Sequence, residues 1–191
     1  MIKIKNIEEI NLEQNLYAVQ DDILTKDVAA ILANVKEKGD QALREYTAKF
    51  DGVNIDNFVV TENEIAEAIN SIDKEFIAVL EQAKENIYKF HAKQKRDDLI
   101  VFDEDGKILG QKYTPIERVG LYVPGGTAVY PSTVLMTVIP AKIAACTNIS
   151  IVSPPDREGK ISPTILAAAK IAGADRIYKV GGAQAVAALA F

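Results

Sequence analysis

The sequence predicts an α/β protein with a parallel sheet, and three observations carry that reading. Apolar residues fall at helical spacing through residues 1–118, strand, turn and helix repeat through residues 119–191, and charge changes sign between the two parts. Residues 1–118 carry 24 acids and 16 bases, whereas residues 119–191 carry 3 acids and 6 bases. Gly, Pro and Ala become dense at the same point. The chain is therefore read as a helical region with a β-hairpin near its end, 1–118, followed by a sheet domain, 119–191. A charged helical surface beside a buried sheet accounts for the asymmetry by itself; the alternative is a second half that faces an anionic ligand.

Taken in order, Ile2–Ile4 is a short extended stretch followed by polar helix or coil to residue 20. Thr25 is an N-cap candidate, with Val28, Ile31, Leu32, Val35, Leu43, Tyr46 and Phe50 at helical spacing behind it. Gly39 breaks this run, and Asp40 is placed to cap the second piece. Asp51-Gly52 is a turn. Thr61 and Glu64 form a capping-box pattern ahead of Ile65, Ala68 and Ile69. Asp73 caps a long helix whose inward residues are read as Phe76, Val79, Leu80, Ala83, Ile87 and Phe90, with His91 near its end. Leu99–Phe102 and Lys107–Tyr113 flank Asp103-Glu104-Asp105-Gly106, a hairpin turn. That acidic turn lacks the ligand spacing of an EF-hand loop and reads as a solvated turn.

Beyond it, Arg118–Val123 reads as a buried strand, a helix spans about Ser132–Ala145, and Asn148–Val152 is a strand halted by Ser153-Pro154-Pro155. Ser162 caps a helix with Pro163 at its first position, and Gly173 suits its C-terminus. Arg176–Val180 is the next strand, and a further helix opens at Gly181-Gly182. Alternating strands and helices imply parallel pairing with right-handed crossovers, so the second part is an incomplete Rossmann-like sheet.

Composition excludes several classes. A net charge of −5 argues against a generic nucleic-acid binder. No apolar run approaches the length of a membrane span. The single cysteine, Cys146, permits no internal disulfide, and nothing at the start resembles a signal peptide, so the cytoplasm is the expected compartment. Cys146 reads as a buried core thiol. The single histidine, His91, reads as a helix-end residue facing the negative end of the dipole rather than a catalyst. No metal-ligand set and no catalytic residue is assigned.

The candidate chemistry lies past the carboxyl ends of the strands, where α/β sheets bind ligands. Two glycine turns stand there: Val123-Pro124-Gly125-Gly126-Thr127 and Val180-Gly181-Gly182-Ala183-Gln184. Glycine permits positive φ and close backbone approach, and a helix N-terminus beyond the turn offers N–H groups to a phosphate. Neither turn is a G-x-G-x-x-G fingerprint or a P-loop. Tyr122 precedes the first turn and Gln184 follows the second; each is either a ligand contact or a packing and capping residue.

Gly120-Leu121-Tyr122-Val123-Pro124-Gly125-Gly126, Ser132-Thr133-Val134-Leu135-Met136, Ser153-Pro154-Pro155 and the segment from Val180 to Phe191 resemble histidinol dehydrogenase. Upstream, the segments Val35 to Tyr46 and Asn86 to His91 fit the same family. The resemblance implies oxidation of L-histidinol to L-histidine through an aldehyde, with two NAD⁺ used in turn and a bound zinc. It implies a homodimer and places NAD at Tyr122 and Gln184, beside Pro124, Gly125, Gly126, Gly181 and Gly182. The family's zinc ligands, its Glu-His proton-transfer pair and a third NAD-contacting residue, an asparagine, fall beyond Phe191. The resemblance therefore implies a truncated nucleotide-side portion with no activity alone.

Two other readings compete. An aldehyde or glutamate-semialdehyde dehydrogenase relative would need a cysteine nucleophile, for which Cys146 is the sole candidate. A non-catalytic assembly or nucleotide-binding module would self-associate through bare helix faces and an open sheet edge.

Overall fold

The computed structural model describes residues 22–125 and 129–191. The extended stretch Ile2–Ile4, its neighbours to residue 20, and Gly126 lie outside the described residues. Helices α1 (Asp22–Lys38), α2 (Asp40–Phe50), α3 (Glu62–Ser71) and α4 (Lys74–His91) come first. A single 3₁₀ turn (Ala92–Gln94) leads to the antiparallel hairpin β1 (Leu99–Phe102) and β2 (Ile108–Gln111). Then follow β3 (Arg118–Tyr122), α5 (Pro131–Ile143), β4 (Asn148–Ser153), α6 (Pro163–Ala172), β5 (Arg176–Lys179) and α7 (Gly182–Ala190). The sheet is parallel with strand order β3-β4-β5, which is the α/β class expected.

Side-chain alternation along the strands builds a layer on each face. Ile149 and Ile151 of β4 and Ile177 of β5 point into a core with α5 and α6, which α3 and α4 back with Ile65, Ala68 and Leu80. Val152 points the other way, into a core with Val35 of α1, Leu43 of α2 and Ala185 and Ala187 of α7. Both cores therefore draw residues from either side of position 118. Gly120 of β3 lets α7 approach, because a Cβ there would lie 2.6 Å from Leu189 Cδ1. No helix among the described residues is long and apolar enough to cross a membrane.

Local signals held where the chain itself supplies the partner. Thr61 Oγ1 accepts from the Glu64 N–H while Glu64 accepts from the Thr61 N–H, completing the capping box. Asp73 accepts from the Glu75 N–H at 2.8 Å, and Gly173 ends α6 at φ +86°. Pro163 opens α6 after Ser162, whose hydroxyl meets Thr164 Oγ1 and makes no cap to the backbone.

Several expectations are corrected. Thr25 lies inside α1, which begins at Asp22, and so caps nothing. Gly39, at φ +56°, occupies the cap position of α2, and Asp40 is its first residue, where its charge meets the positive helix end. Val79 and Phe90 point to solvent on α4, while Ile77 packs inward. β3 is an edge strand, alternately exposed and half-buried, not a buried one. Helix α5 stops at Ile143 and closes in a Schellman turn: Cys146 N–H donates to Ala141 O, Ala145 N–H donates to Lys142 O, and Ala145 takes φ +65°. The edge of β5 is not open. Val60 N–H donates to Ile177 O at 2.9 Å and Lys179 N–H to Phe58 O at 2.7 Å, so the helical region supplies an antiparallel cover.

One ion pair locks that cover. Lys179 Nζ donates to Glu64 Oε1 at 2.8 Å, with the lysine side chain only 12% exposed. Burial pushes the Glu64 carboxyl up, but Lys179 and the Thr61 N–H and hydroxyl together hold it below its ordinary value. A depressed carboxylate contributes stability fully above the unfolded value of about 4.3 and loses it as pH falls through the lower folded value. Lys179→Met should cost about 1–2 kcal/mol at pH 7, between exposed and buried pairs, or roughly 3–6 °C in Tm. Thermal melts from pH 7 down to pH 3 should show the deficit shrinking with acid; a deficit independent of pH would contradict the ion-pair account.

Candidate functional site

Parallel register puts the carboxyl ends of β3, β4 and β5 on one edge: Tyr122 pairs with Val152, and Ser153 with Lys179. The two glycine turns therefore meet. Tyr122 Oη accepts a hydrogen bond from the Gly182 N–H at 3.3 Å. Pro154, in the turn after β4, stands between them. A Cβ on Gly125 would lie 3.0 Å from Pro154 Cγ and 3.1 Å from its carbonyl oxygen; one on Gly181 would lie 2.5 Å from Pro154 Cβ. Close approach to the proline requires glycine at 181, since real Cβ atoms do not reach 2.5 Å, while a Cβ at 125 would be tight and press Pro154 by a few tenths of an ångström. Gly182 adds a second requirement, φ +67°, and a Cβ there would meet Gln184 Oε1 at 2.5 Å.

The polar groups beneath this surface are unusual. Gln184 is 1% exposed. Its Nε2 and Oε1 have no hydrogen-bond partner among the described residues, and neither does the buried Ser153 Oγ. Buried polar groups left unpaired cost about 1–3 kcal/mol each, so such groups at one edge of a sheet mark a place where something else can satisfy them. The helix that follows, α7, has Gly181 at its cap position with no side-chain cap; Tyr122 Oη takes the Gly182 N–H, and the next N–H groups of the first turn, those of Ala183 and Gln184, are left to be satisfied from outside. Tyr122 is 40% exposed and presents its ring to solvent beside that end.

The described residues thus bring Tyr122, Pro124, Gly125, Gly181, Gly182 and Gln184 to one edge, with Tyr122 at the surface and Gln184 buried under the Gly182 backbone. Gly126 lies outside the described residues. Ser153 and Pro154 were not singled out as site residues by sequence reasoning. Their signal was the Ser-Pro-Pro halt at the end of a strand, which parallel pairing carries to the same edge as the turns.

Other candidates sit elsewhere. Cys146 lies between α5 and β4, at the amino ends of the strands, and is half-buried against the core rather than fully enclosed. His91 ends α4, with Nδ1 2.7 Å from Gln94 Oε1. A cavity of about 460 Å³ opens between α2, α7 and the sheet and is lined by Arg44, Arg118, Asn148 and Arg176 among others. Arg118, Asn148 and Arg176 are the first residues of their strands, so this cavity is at the opposite edge from the turns. Two of its three arginines already have contacts, Arg44 with the Asp56 carbonyl and the Phe58 ring, and Arg118 with Glu117 at 4.0 Å. Among the described residues no three His, Cys, Asp or Glu side chains gather to hold a metal ion.

Comparison with known proteins gives the family. The family described as histidinol dehydrogenase matches residues 16–191. A histidinol dehydrogenase of Methanocaldococcus jannaschii is 52% identical over 98% of this chain and 45% of its own length. One from Bacillus subtilis is 46% identical over the whole chain and 45% of the relative. The crystal structure of histidinol dehydrogenase from Elizabethkingia anophelis superposes with a TM-score of 0.83 at 41% identity, over 86% of this chain and 38% of that one. The chain spans under half the length of these relatives.

The contact of Gly181 with Pro154 has a direct test. Gly181 has φ −122°, which any residue adopts, so the penalty of Gly181→Ala is steric alone. We expect a loss of about 1–3 kcal/mol in chemical denaturation. Pro154→Gly in the same chain removes the Cβ that stands 2.5 Å away and should recover a substantial part of that loss, as coupled neighbours do. Strict additivity of the two substitutions would contradict the contact.

Proposed function

We infer the function from one premise: the chain belongs to the histidinol dehydrogenase family. We propose that it carries the dinucleotide-binding side of an NAD⁺-dependent oxidation of L-histidinol to L-histidine through the aldehyde, in the cytoplasm and as a homodimer. The observation that carries the reading is the convergence of two glycine turns on Pro154 above unpaired Gln184 and Ser153. NAD⁺, when bound, accepts the hydride that leaves the substrate carbon. The residues of this chain fit that group. Gly125, Gly181 and Gly182 carry no side chain to keep a pyrophosphate from the backbone, and the first turn of α7 offers the N–H groups of Ala183 and Gln184 to its charge. Tyr122 orients the ligand from the exposed side. Gln184 supplies one amide donor and one acceptor from behind the Gly182 backbone.

Zinc does not fit the residues described. The only histidine is the half-buried His91 at the end of α4, and among the described residues no three potential ligands gather. No step through a metal is derived for this chain. No described residue is assigned as the base that alcohol oxidation requires.

Calorimetric titration of the 191-residue chain with NAD⁺ tests the proposal. The wild-type chain should bind weakly but measurably. Gln184→Met, which removes two unpaired buried polar atoms, should raise stability by about 1 kcal/mol while weakening NAD⁺ binding at least tenfold. Unchanged binding in that variant would contradict the assignment of Gln184. With L-histidinol, NAD⁺ and zinc present, the chain alone should form no NADH; turnover would show that its own residues suffice for the proton transfers.

A further inference from the structure

Helices that follow strands in this chain begin differently from α3 and α4. Those two start under the side chains of Thr61 and Asp73, each of which takes a first-turn N–H. α5, α6 and α7 start at the carboxyl edge of the sheet, and none has a side-chain cap. They also lie on two faces. α7 shares a core with Val152, whereas α5 shares one with Ile149 and Ile151 and packs over β3 and β4.

Ser153 is the last residue of β4, the central strand, and alternation puts it on the α5 face with Ile149 and Ile151. It is fully buried, and its Oγ has no partner among the described residues. Lys179, beside it in register on β5, is held by Glu64 and leaves the hydroxyl unused. Alanine would fill the same space without the cost of an unpaired hydroxyl. Helix α5 opens at Pro131, which has no N–H, so the first donor it presents to the edge is the N–H of Ser132; that of Thr133 already turns back to Tyr130 O at 3.1 Å.

The edge therefore has two poles, one on each face. Ala183, Gln184 and the Gln184 amide form the first, and Ser153 with Ser132 forms the second. Only the end of β4 separates them, and neighbouring strands lie about 4.8 Å apart. A pyrophosphate carries two anionic groups side by side, and a hydroxyl donates to a charged oxygen about twice as strongly as to a neutral one. We propose that Ser153 Oγ donates to one phosphoryl group of a dinucleotide whose other phosphoryl group lies at the first turn of α7, the pyrophosphate bridging the end of β4 beside Pro154. The inference rests on the nucleotide reading above and adds a binding residue on the opposite face of the sheet.

Ser153→Ala tests it in the 191-residue chain, because it removes only the hydroxyl. Its Tm should equal or exceed that of the wild type, since an unpaired buried group is lost. Calorimetry should show NAD⁺ binding weakened at least tenfold, the scale of one hydrogen bond to a charged oxygen. In ¹⁵N–¹H NMR, NAD⁺ should move the amides of Ser132 and of Gly181 to Gln184 in the wild type. In the variant, at matched saturation, it should move only the second group. A wild type that binds no NAD⁺ overturns the nucleotide reading and this inference with it. Wild-type binding that Ser153→Ala leaves unchanged overturns this inference alone. A lowered Tm, or shifts lost equally at both poles, would make Ser153 a packing residue and overturn its assignment to the phosphoryl group.

Discussion

The close approach of two glycine turns to one proline is the constraint on which the rest of the structure depends. Parallel pairing of β3, β4 and β5 carries three turns to one edge, and Pro154 fills the space between the outer two. Only a residue without a Cβ fits at Gly181, and at Gly125 a Cβ would crowd the same proline. The same absence of side chains that lets the turns touch the proline also bares their backbone N–H groups. Packing and binding thus ask for the same residue type at the same positions. The packing contact alone does not explain why Gln184 and Ser153 beneath it lack partners among the described residues.

The edge is held at a distance by groups that never touch it. Lys179 ends β5 two residues before Gly181, and its ammonium is anchored on Glu64, which also completes the cap of α3. Residues 58–60 pair with the outer side of β5. The helical region is therefore more than a neighbour of the sheet: it covers an edge that would otherwise invite pairing with another chain. On the opposite side β3 remains an edge strand, and the exposed hairpin precedes it directly in the chain.

What could be read from the sequence divides along the range of the interaction. The Thr61–Glu64 box, the Asp73 cap, the Gly39 break and the Gly173 stop depend on partners within a few residues, and each was legible. The β/α alternation, and with it the parallel sheet, was legible from punctuation by Pro and Gly. Burial was not, where a neighbour decides it. Val79 and Phe90 keep the spacing of inward residues, yet α4 turns Ile77 toward the core instead. Arg118–Val123 has the composition of a central strand but takes an edge position. At the site, the glycines and Tyr122 could be named from their place after predicted strands. Pro154 could not, because its role appears only once parallel register brings a third turn to the same edge.

The central claim is that the carboxyl edge of this sheet, and not the cavity at its amino edge, receives the dinucleotide. A ¹⁵N–¹H NMR titration of the chain with NAD⁺ tests it most directly. The account predicts progressive shifts at the amides of Tyr122, Gly125, Ser153 and Gly181 to Gln184, with those of Arg44, Arg118 and Arg176 unmoved. Shifts centred on the three arginines, with the glycine turns silent, would contradict it.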